Sequence, residues 1–343
     1  MSLPAAPWPR EEKLKNRLIR VDRKTGEVEG HEIADLPRLL VPGDLLVLND
    51  AATLPARLFG QTEGGTPLEL RLVSEIQQGR WRALVFGEGD WRQRTEDRPA
   101  APLLRPEDNL RFRGALQAKV IKISDLSPRL IEAEFRPLGS DFFRELYEQG
   151  HPVQYSYLKD ELPLYHVQSA FSSRPWAMEL PSAGASLPLG LLMELRVKGI
   201  QVVSLTHACG LSSSGDKTLD ASWPFGERYE IPQNTVEKIR ETRAARGGRV
   251  IAAGTSVMRA LEGNVMRHGG FLKSGVGETD LLIGPGYPPK IVEGLLTGLH
   301  EVEESHFRLA ASLLSELYLK RVLEFAEKEG LLSHEFGDEC LIL

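Results

Sequence analysis

The sequence predicts a mixed-sheet α/β main domain that carries an inserted small all-β barrel domain. Three observations predict it. After about residue 150, short apolar runs alternate with stretches of helical period, the pattern of strands joined by helices. Between about Leu58 and Leu138 the texture changes to short β-type runs separated by Gly, Pro and charged turns, as in a barrel or sandwich. A buried-strand signal, Leu45 to Leu48, precedes that tract, so the β-rich part interrupts the α/β part. The expected division is 1–57 with 151–343 as the main domain and 58–150 as the insert.

Taken in order, Leu45 to Leu48 is an apolar run after the turn residues Pro42-Gly43-Asp44. The insert offers strand candidates at Leu68 to Val73, Trp81 to Phe86, Leu116 to Ile123 and Leu130 to Phe135. Leu187 to Lys198 has the apolar spacing of an amphipathic helix, and Ile200 to Leu205 follows as a strand. Leu219 to Gly226 does not read as a helix. Thr235 to Arg246 does, with Asn234 or Thr235 as N-cap and Gly247-Gly248 as the stop. Val250 to Ala253 is a strand, Ser256 to Leu261 opens a helix, and Leu281 to Ile283 is a further strand. Ser305 to Lys328 reads as one long amphipathic helix. Ligands of such sheets sit outside the carboxyl ends of the strands. Interest therefore falls on Thr206 to Gly215, Gly254 to Arg259 and Gly284 to Tyr287.

Composition narrows the class. The chain has 343 residues, 41% hydrophobic and 26% charged, which supplies a sizeable core and excludes general disorder. Its net charge of −6 excludes a protein that holds nucleic acid by bulk charge. The charge is uneven, with eight Lys/Arg against three acids between Glu237 and Lys273, so a local basic patch remains open beside the plainer reading of a solvated helix face. No apolar run approaches the roughly 20 residues of a membrane span. Met1 to Trp8 lacks a signal pattern, and two cysteines, Cys209 and Cys340, cannot build a disulfide framework. A cytoplasmic setting is expected.

Several motifs are tempting and fail on spacing. Gly210-Leu-Ser-Ser-Ser-Gly215-Asp216-Lys217-Thr218 has Asp216 where a phosphate loop needs its lysine. In His300-Glu301-Val302-Glu303-Glu304-Ser305-His306 the second histidine is two residues late for a zinc-binding helix, so no metal is expected. Gly254-Thr255-Ser256 is better placed. It joins a strand end to a helix start, where free N–H groups and hydroxyls suit a carboxylate or phosphate, with Arg259 nearby; ordinary capping explains it equally well. Pro181-Ser182-Ala183-Gly184 is a small-residue turn that admits a ligand or merely caps a helix. Glu227-Arg228-Tyr229-Glu230 mixes acid, base and phenol suited to proton transfer, or is a charged strand end.

The order of these segments carries more than any one of them. Arg20-Val-Asp-Arg-Lys-Thr-Gly26, Pro42-Gly-Asp-Leu-Leu-Val-Leu-Asn-Asp50 and Leu54-Pro-Ala-Arg-Leu-Phe-Gly60 come first. Pro181-Ser-Ala-Gly184, Glu227-Arg-Tyr-Glu-Ile231, Val250-Ile-Ala-Ala-Gly-Thr-Ser256, Gly277-Glu-Thr-Asp-Leu-Leu-Ile283, Pro285-Gly-Tyr287 and Phe336-Gly-Asp338 follow. In this order the chain resembles the S-adenosylmethionine:tRNA ribosyltransferase-isomerase family of queuosine synthesis. The resemblance implies an α/β domain with an inserted barrel. It implies transfer and isomerisation of the ribosyl moiety of S-adenosylmethionine onto the 7-aminomethyl-7-deazaguanine base of tRNA, giving epoxyqueuosine. S-adenosylmethionine is then a substrate, no metal is called for, and the partner is the tRNA anticodon loop.

On that reading Gly254, Thr255, Ser256 and Arg259 hold the methionine carboxylate or a phosphate, beside Ser182 and Gly184. His207 or His300 transfers a proton, and Asp338 or Glu227 meets the amine or the sulfonium charge. Tyr229 and Tyr287 flank the pocket, Arg57 lies near its entrance, and Arg240, Arg243 and Arg246 meet tRNA phosphates. The chain departs from the family at Ala51-Ala52, Gln168 to Phe171, Ala185 to Leu187, Ala208 to Gly215 and Thr297 to Val302. These departures leave a second reading: a diverged paralogue that keeps the fold and binds another small ligand or a protein partner.

Overall fold

The computed structural model describes residues 3–223, 225–245, 247–302 and 304–343. Arg246, one of the three arginines assigned to tRNA, lies outside them.

The strands, in chain order, are β1 (Arg17–Val21), β2 (Val28–Glu32), β3 (Leu45–Asn49), β4 (Ala51–Thr53), β5 (Arg57–Thr62), β6 (Pro67–Gln77), β7 (Arg80–Phe86), β8 (Asn109–Phe112), β9 (Gln117–Ile123), β10 (Leu130–Arg136), β11 (Arg174–Ala177), β12 (Gln201–His207), β13 (Glu227–Ile231), β14 (Val250–Ala253), β15 (Gly275–Thr279), β16 (Gly294–Gly298) and β17 (Glu339–Ile342). Nine of them form one sheet, ordered β15-β13-β12-β3-β14-β16-β17-β1-β2. The inner four, β12, β3, β14 and β16, run parallel. The α-helices are α1 (Leu36–Leu39), α2 (Gly139–Gln149), α3 (Ser182–Ala185), α4 (Leu189–Val197), α5 (Lys217–Ser222), α6 (Gln233–Ala244), α7 (Thr255–Arg267), α8 (Ser305–Ala310) and α9 (Glu316–Lys328).

The all-buried run of β3 follows from helices on both faces. Leu45 and Val47 enter a core with Val236, Val257, Leu261 and Leu323. Leu46 and Leu48 enter another with Leu36, Leu191 and Leu195. The second layer of architecture is a closed barrel of six antiparallel strands, ordered β10-β7-β6-β5-β8-β9. The chain enters it at Arg57, the first residue of β5, after β4 has paired with β11 in a separate two-stranded sheet, and α2 follows it, placing Phe142 and Leu146 in the barrel core. Arg57 and His151 exchange backbone hydrogen bonds at 2.9 and 2.8 Å, so the chain enters and leaves the barrel side by side.

The local expectations fail in five places, each for a physical reason. Leu281 to Ile283 is not a strand; Leu281 and Ile283 are loop residues that close the core. The strand there is Gly275–Thr279, a polar, Gly-rich edge paired with β13. The long C-terminal helix is two helices, because Ser315 starts a new one by accepting the Tyr318 N–H. Lys217–Ser222 is helical, and Asp216 is its N-cap, accepting from the Thr218 and Leu219 N–H groups. Helix α6 starts at Gln233 after Pro232, and Thr235 Oγ donates to the Ser204 carbonyl instead of capping. The barrel also contains β5 and β8, which are too short and mixed to stand out in the sequence.

Candidate active site

The carboxyl ends of the four parallel strands bring Asn49, His207, Gly254 and Gly298 to one edge of the sheet. Asn49 pins the arrangement. Its Oδ1 accepts the His207 and Ala51 N–H groups at 2.9 and 3.1 Å. Its Nδ2 lies 3.0 Å from the His207 carbonyl and 3.3 Å from both Cys209 Sγ and Ser256 Oγ. Strand β13 runs antiparallel to β12, so its first residue, Glu227, returns to this same edge.

Glu227 is the centre of the charge distribution. Its Oε1 accepts the Gly210 N–H at 3.0 Å. Its Oε2 stands 2.7 Å from Arg259 Nη2 and 3.4 Å from His207 Nε2. Neither approach has hydrogen-bond alignment, and Glu227 Oε2, His207 Nε2 and Arg259 Nε are left as buried polar atoms without a bond. Burial pushes the Glu227 carboxyl above its ordinary range, against the pull of Arg259 and the Gly210 N–H. Burial, reinforced by the Arg259 charge, holds His207 well below the usual imidazole range. Burial likewise drives the Cys209 thiol up to about 12, so it is no thiolate nucleophile. A neutral imidazole beside a carboxyl of raised pKa is an acid–base pair whose members burial moves in opposite directions.

The Gly254 turn joins β14 to α7 with φ +102°, a conformation that glycine alone adopts without strain. Ala183 of α3 packs on it: a Cβ at Gly254 would lie 3.6 Å from the Ala183 methyl. Gly184 in turn makes room for Phe171, whose ring would stand 2.9 Å from a Cβ there. Ser182, Thr255 and Arg259 are half-buried and Ser256 is buried. Thus His207, Glu227, Ser256 and Arg259 are brought together, with Gly254 and Thr255 at the turn beneath them.

His300 belongs to a second group at the end of β16. Its Nε2 lies 3.2 Å from Thr297 Oγ1 and its Nδ1 3.0 Å from Glu304 Oε2. Its ring stacks on His306 at 4.6 Å and 17°. Burial, with the His300 charge, lowers His306 to about 3. The helix-spacing argument against a metal does not apply here, because residues 300–304 precede α8. The donor atoms of His300, Glu304 and His306 do lie within 4.8 Å of one another. The two rings are nearly parallel, however, so their in-plane lone pairs do not converge on one point, and the geometry fits a hydrogen-bonded pair better than a metal polygon. A small, mainly apolar cavity of about 20 Å³ lies beside this group, lined among others by Thr297, Gly298, His300, Phe307 and Cys340.

Four other expected residues sit elsewhere. Asp338 is fully engaged: it accepts the Arg17 and Leu332 N–H groups at 3.0 and 2.8 Å and pairs with Arg10 at 2.7 Å. It braces the segment before β1 and the 332 loop against β17. Tyr229 points into the core, where its hydroxyl meets Asn264 Nδ2 at 3.3 Å, so it does not flank a pocket. Tyr287 donates to Glu262, which gathers the Lys290, Ile291 and Val292 N–H groups and fastens the 284–292 loop to α7. Arg57 is buried in the barrel wall rather than set at an entrance.

The α6 arginines are at the wrong end of the sheet. Arg240 donates to the Leu272 carbonyl, and α6 runs down to the Gly248–Gly43 contact beside the amino end of β3. Exposed Arg243 is therefore about a strand length, roughly 15 Å, from the carboxyl-end cluster.

Sequence reasoning missed a buried carboxylate pair next to the site. Glu179 accepts the Ser212 N–H at 3.0 Å, the Ser212 hydroxyl and the Tyr155 hydroxyl. Glu335 accepts the Tyr157 hydroxyl at 2.5 Å. The two tyrosine rings are stacked at 6.1 Å. Burial raises Glu179, and raises Glu335 to about 8. Only the Tyr155-x-Tyr157 spacing hints at this in the sequence.

A mixed α/β sheet that carries a closed barrel gathers His207, Glu227 and half-buried Arg259 at its carboxyl edge, groups of the kind an enzyme uses for acid–base chemistry. Comparison with known proteins makes the class specific. The family model for queuosine biosynthesis protein matches residues 3–342. The S-adenosylmethionine:tRNA ribosyltransferase-isomerase of Thermosynechococcus vestitus is 34% identical over 96% of this chain and 89% of its own. That of Gloeobacter violaceus is 34% identical over 98% of this chain and 92% of its own. The crystal structure of the S-adenosylmethionine tRNA ribosyltransferase of Thermotoga maritima aligns with a TM-score of 0.55 at 26% identity, covering 100% of this chain and 99% of that one. The chain belongs to the queuosine biosynthesis protein family.

Proposed function

We propose that this protein transfers and isomerises the ribosyl moiety of S-adenosylmethionine onto the 7-aminomethyl-7-deazaguanine base of a tRNA anticodon loop, giving epoxyqueuosine and releasing adenine and methionine. The observation that carries the reading is the buried His207–Glu227–Arg259 group at the sheet's carboxyl edge. Matches along nearly the whole chain favour it over a diverged paralogue.

The reaction needs a base for a proton acidified by the neighbouring sulfonium, and an acid for departing adenine. Neutral His207 supplies the base. Glu227, protonated more readily than an ordinary carboxyl, supplies the acid, and Arg259 stabilises developing negative charge. His300, held by Thr297 and Glu304, is the second candidate proton carrier. Gly254, Thr255 and Ser256 present the amino end of α7 to an anionic part of the substrate, next to Ser182 and Gly184.

The tRNA surface is better sought on β11 and β13 than on α6. Arg228 Cζ stands 3.9 Å from the Trp176 ring centre and Arg174 Cζ 5.5 Å, with Arg82 over Phe225 at 5.7 Å beyond them. Aromatic rings interleaved with guanidinium groups stack unpaired bases and hold phosphates. Arg228 is the next residue after Glu227, and Trp176 is two residues before Met178, whose N–H donates to the Cys209 carbonyl. We take residues 58–150 as the inserted domain and the cytoplasm as the setting. No helix among the described residues is long and apolar enough to cross a membrane.

Incubation with S-adenosylmethionine and tRNA bearing the precursor base, followed by nucleoside mass spectrometry, tests the reading. Epoxyqueuosine is the expected product. Its absence from a preparation that binds both substrates would overturn it.

A further inference from the structure

The barrel wall contains more buried guanidinium N–H groups than it bonds. Strands β5 and β6 place Arg57 directly opposite Arg71 in register. Like charges in that position repel at the distance of a cross-strand pair. Both side chains are buried, as are Arg98 and Glu69. Buried Glu69 spends both oxygens elsewhere than on Arg57: Oε1 on Arg71 Nε at 2.7 Å and Oε2 on Arg98 Nη1 at 2.8 Å. Each guanidinium therefore meets a carboxylate through one nitrogen, Arg57 through Glu161 and Arg71 through Glu69, and the remaining N–H groups of the two face each other.

The hydrogen-bond count agrees. Arg57 Nε and Nη1 and Arg71 Nη1 and Nη2 have no hydrogen-bond partner. The Phe86 and Tyr155 rings cover the Arg71 guanidinium at 4.6 and 5.8 Å, which accommodates its faces but none of its in-plane N–H groups. A buried donor left without a partner costs about 1–3 kcal/mol, so a fold that keeps four of them side by side is arranged around an acceptor.

One carboxylate already reaches in from solvent. Half-exposed Glu161 places Oε1 2.8 Å from Arg57 Nη2 and 2.9 Å from His151 Nδ1. It sits on the wall of a cleft of about 380 Å³ lined also by Pro55, Tyr147, His151 and Leu162. Withdrawal of Glu161 into the cleft opens a path to Arg57 for another anion.

We propose that Arg57 and Arg71 form an anion-binding site in the barrel wall, which takes a carboxylate or phosphate group in exchange for Glu161. Planar guanidinium forks on facing strands match the paired oxygens of either group. The site itself rests on the unbonded donors of the two facing arginines. Its natural occupant rests on the reaction proposed above: the methionine carboxylate of S-adenosylmethionine, or a tRNA phosphate.

The test uses the intact protein with inorganic phosphate, followed by calorimetry and thermal unfolding. Wild type is expected to bind phosphate saturably and to gain melting temperature. Arg71→Met, which removes two unbonded donors and leaves Glu69 its Arg98 partner, should fold and lose at least tenfold in phosphate affinity. Glu161→Gln should bind phosphate several-fold more tightly than wild type, because the competing carboxylate is gone. A merely structural arginine pair would not produce that gain. Decarboxylated S-adenosylmethionine separates the sources. If the methionine carboxylate is the occupant, decarboxylation weakens binding at least tenfold in wild type and leaves Arg71→Met unchanged. If a tRNA phosphate is, Arg71→Met raises the KM for tRNA and not for S-adenosylmethionine. Failure of wild type to bind phosphate, or equal binding by folded Arg71→Met, overturns the site. Phosphate binding by a protein that forms no modified nucleoside keeps the site and removes the reaction.

Discussion

Arg259 holds Glu227 across the end of the sheet, 2.7 Å from guanidinium nitrogen to carboxylate oxygen, with His207 on the other side of that same oxygen. Burial raises the Glu227 pKa and the Arg259 charge opposes that rise. Arg259→Ala should raise the Glu227 pKa further and relieve His207 of a neighbouring charge. Both limbs of the kcat profile move to higher pH, the acid limb with His207 as base and the alkaline limb with Glu227 as acid, and kcat falls about 10²–10³-fold, the size of one lost electrostatic donor. An unmoved limb with a purely raised KM would make Arg259 an anchor for substrate instead.

His207→Ala should lower kcat by about 10²–10⁴-fold, the usual contribution of a positioned base. His300→Ala is the informative companion. Single-turnover rates of the two variants, measured with saturating substrates, tell which imidazole carries the proton.

Arg228→Glu should raise the KM for tRNA at least tenfold while leaving S-adenosylmethionine binding intact. Arg243→Glu, at the amino end of the sheet, should leave both as they are. Equal losses from the two variants would return α6 to the interface.

Stability should fall as pH rises through the neutral range. Burial raises both Glu335 and Glu339 to about 8 from 4.5. Between those values the folded state keeps a proton that the unfolded chain has released, so each group removes about 1.4 kcal/mol per pH unit. The contribution is complete below about pH 4.5 and gone above about pH 8. Urea unfolding at pH 5.5 and 7.5 measures it, and Glu339→Gln should flatten the slope.

Gly254→Ala should cost about 1–3 kcal/mol, since an alanine at φ +102° is strained whatever the space around it. Thermal unfolding reads this directly. A substitution without effect would mean that the β14–α7 turn relaxes, and that it does not hold Ser256 rigidly against Asn49.

The two architectural layers were legible because each has its own period: buried apolar runs in the parallel strands, alternating short runs in the barrel. What escaped were features decided by tertiary partners. Gly275–Thr279 is a strand because β13 offers it hydrogen bonds, and nothing in Gly-Val-Gly-Glu-Thr announces that. Asp216, which disqualifies a phosphate loop, is a helix cap, a role that local chemistry allows but does not demand. Of the site, His207, Glu227, Ser256 and Arg259 were readable from motif order and converge. Asp338, Tyr229 and Tyr287 share the same motifs but serve packing, because motif order does not distinguish a residue that holds substrate from one that holds a loop. Glu179 and Glu335 were invisible: a carboxylate looks exposed in a sequence until a tyrosine is folded over it.

The paired hydrogen bonds between Arg57 and His151 have an evolutionary corollary. Departure and return of the intervening chain occur at neighbouring strand positions, about 5.5 Å apart between α-carbons. An ancestor lacking the barrel would have needed only a tight hairpin at that spot. Acquisition of the whole module could therefore have left the parent sheet's strand order untouched, and a short graft across the same two residues is the natural place to attempt its removal.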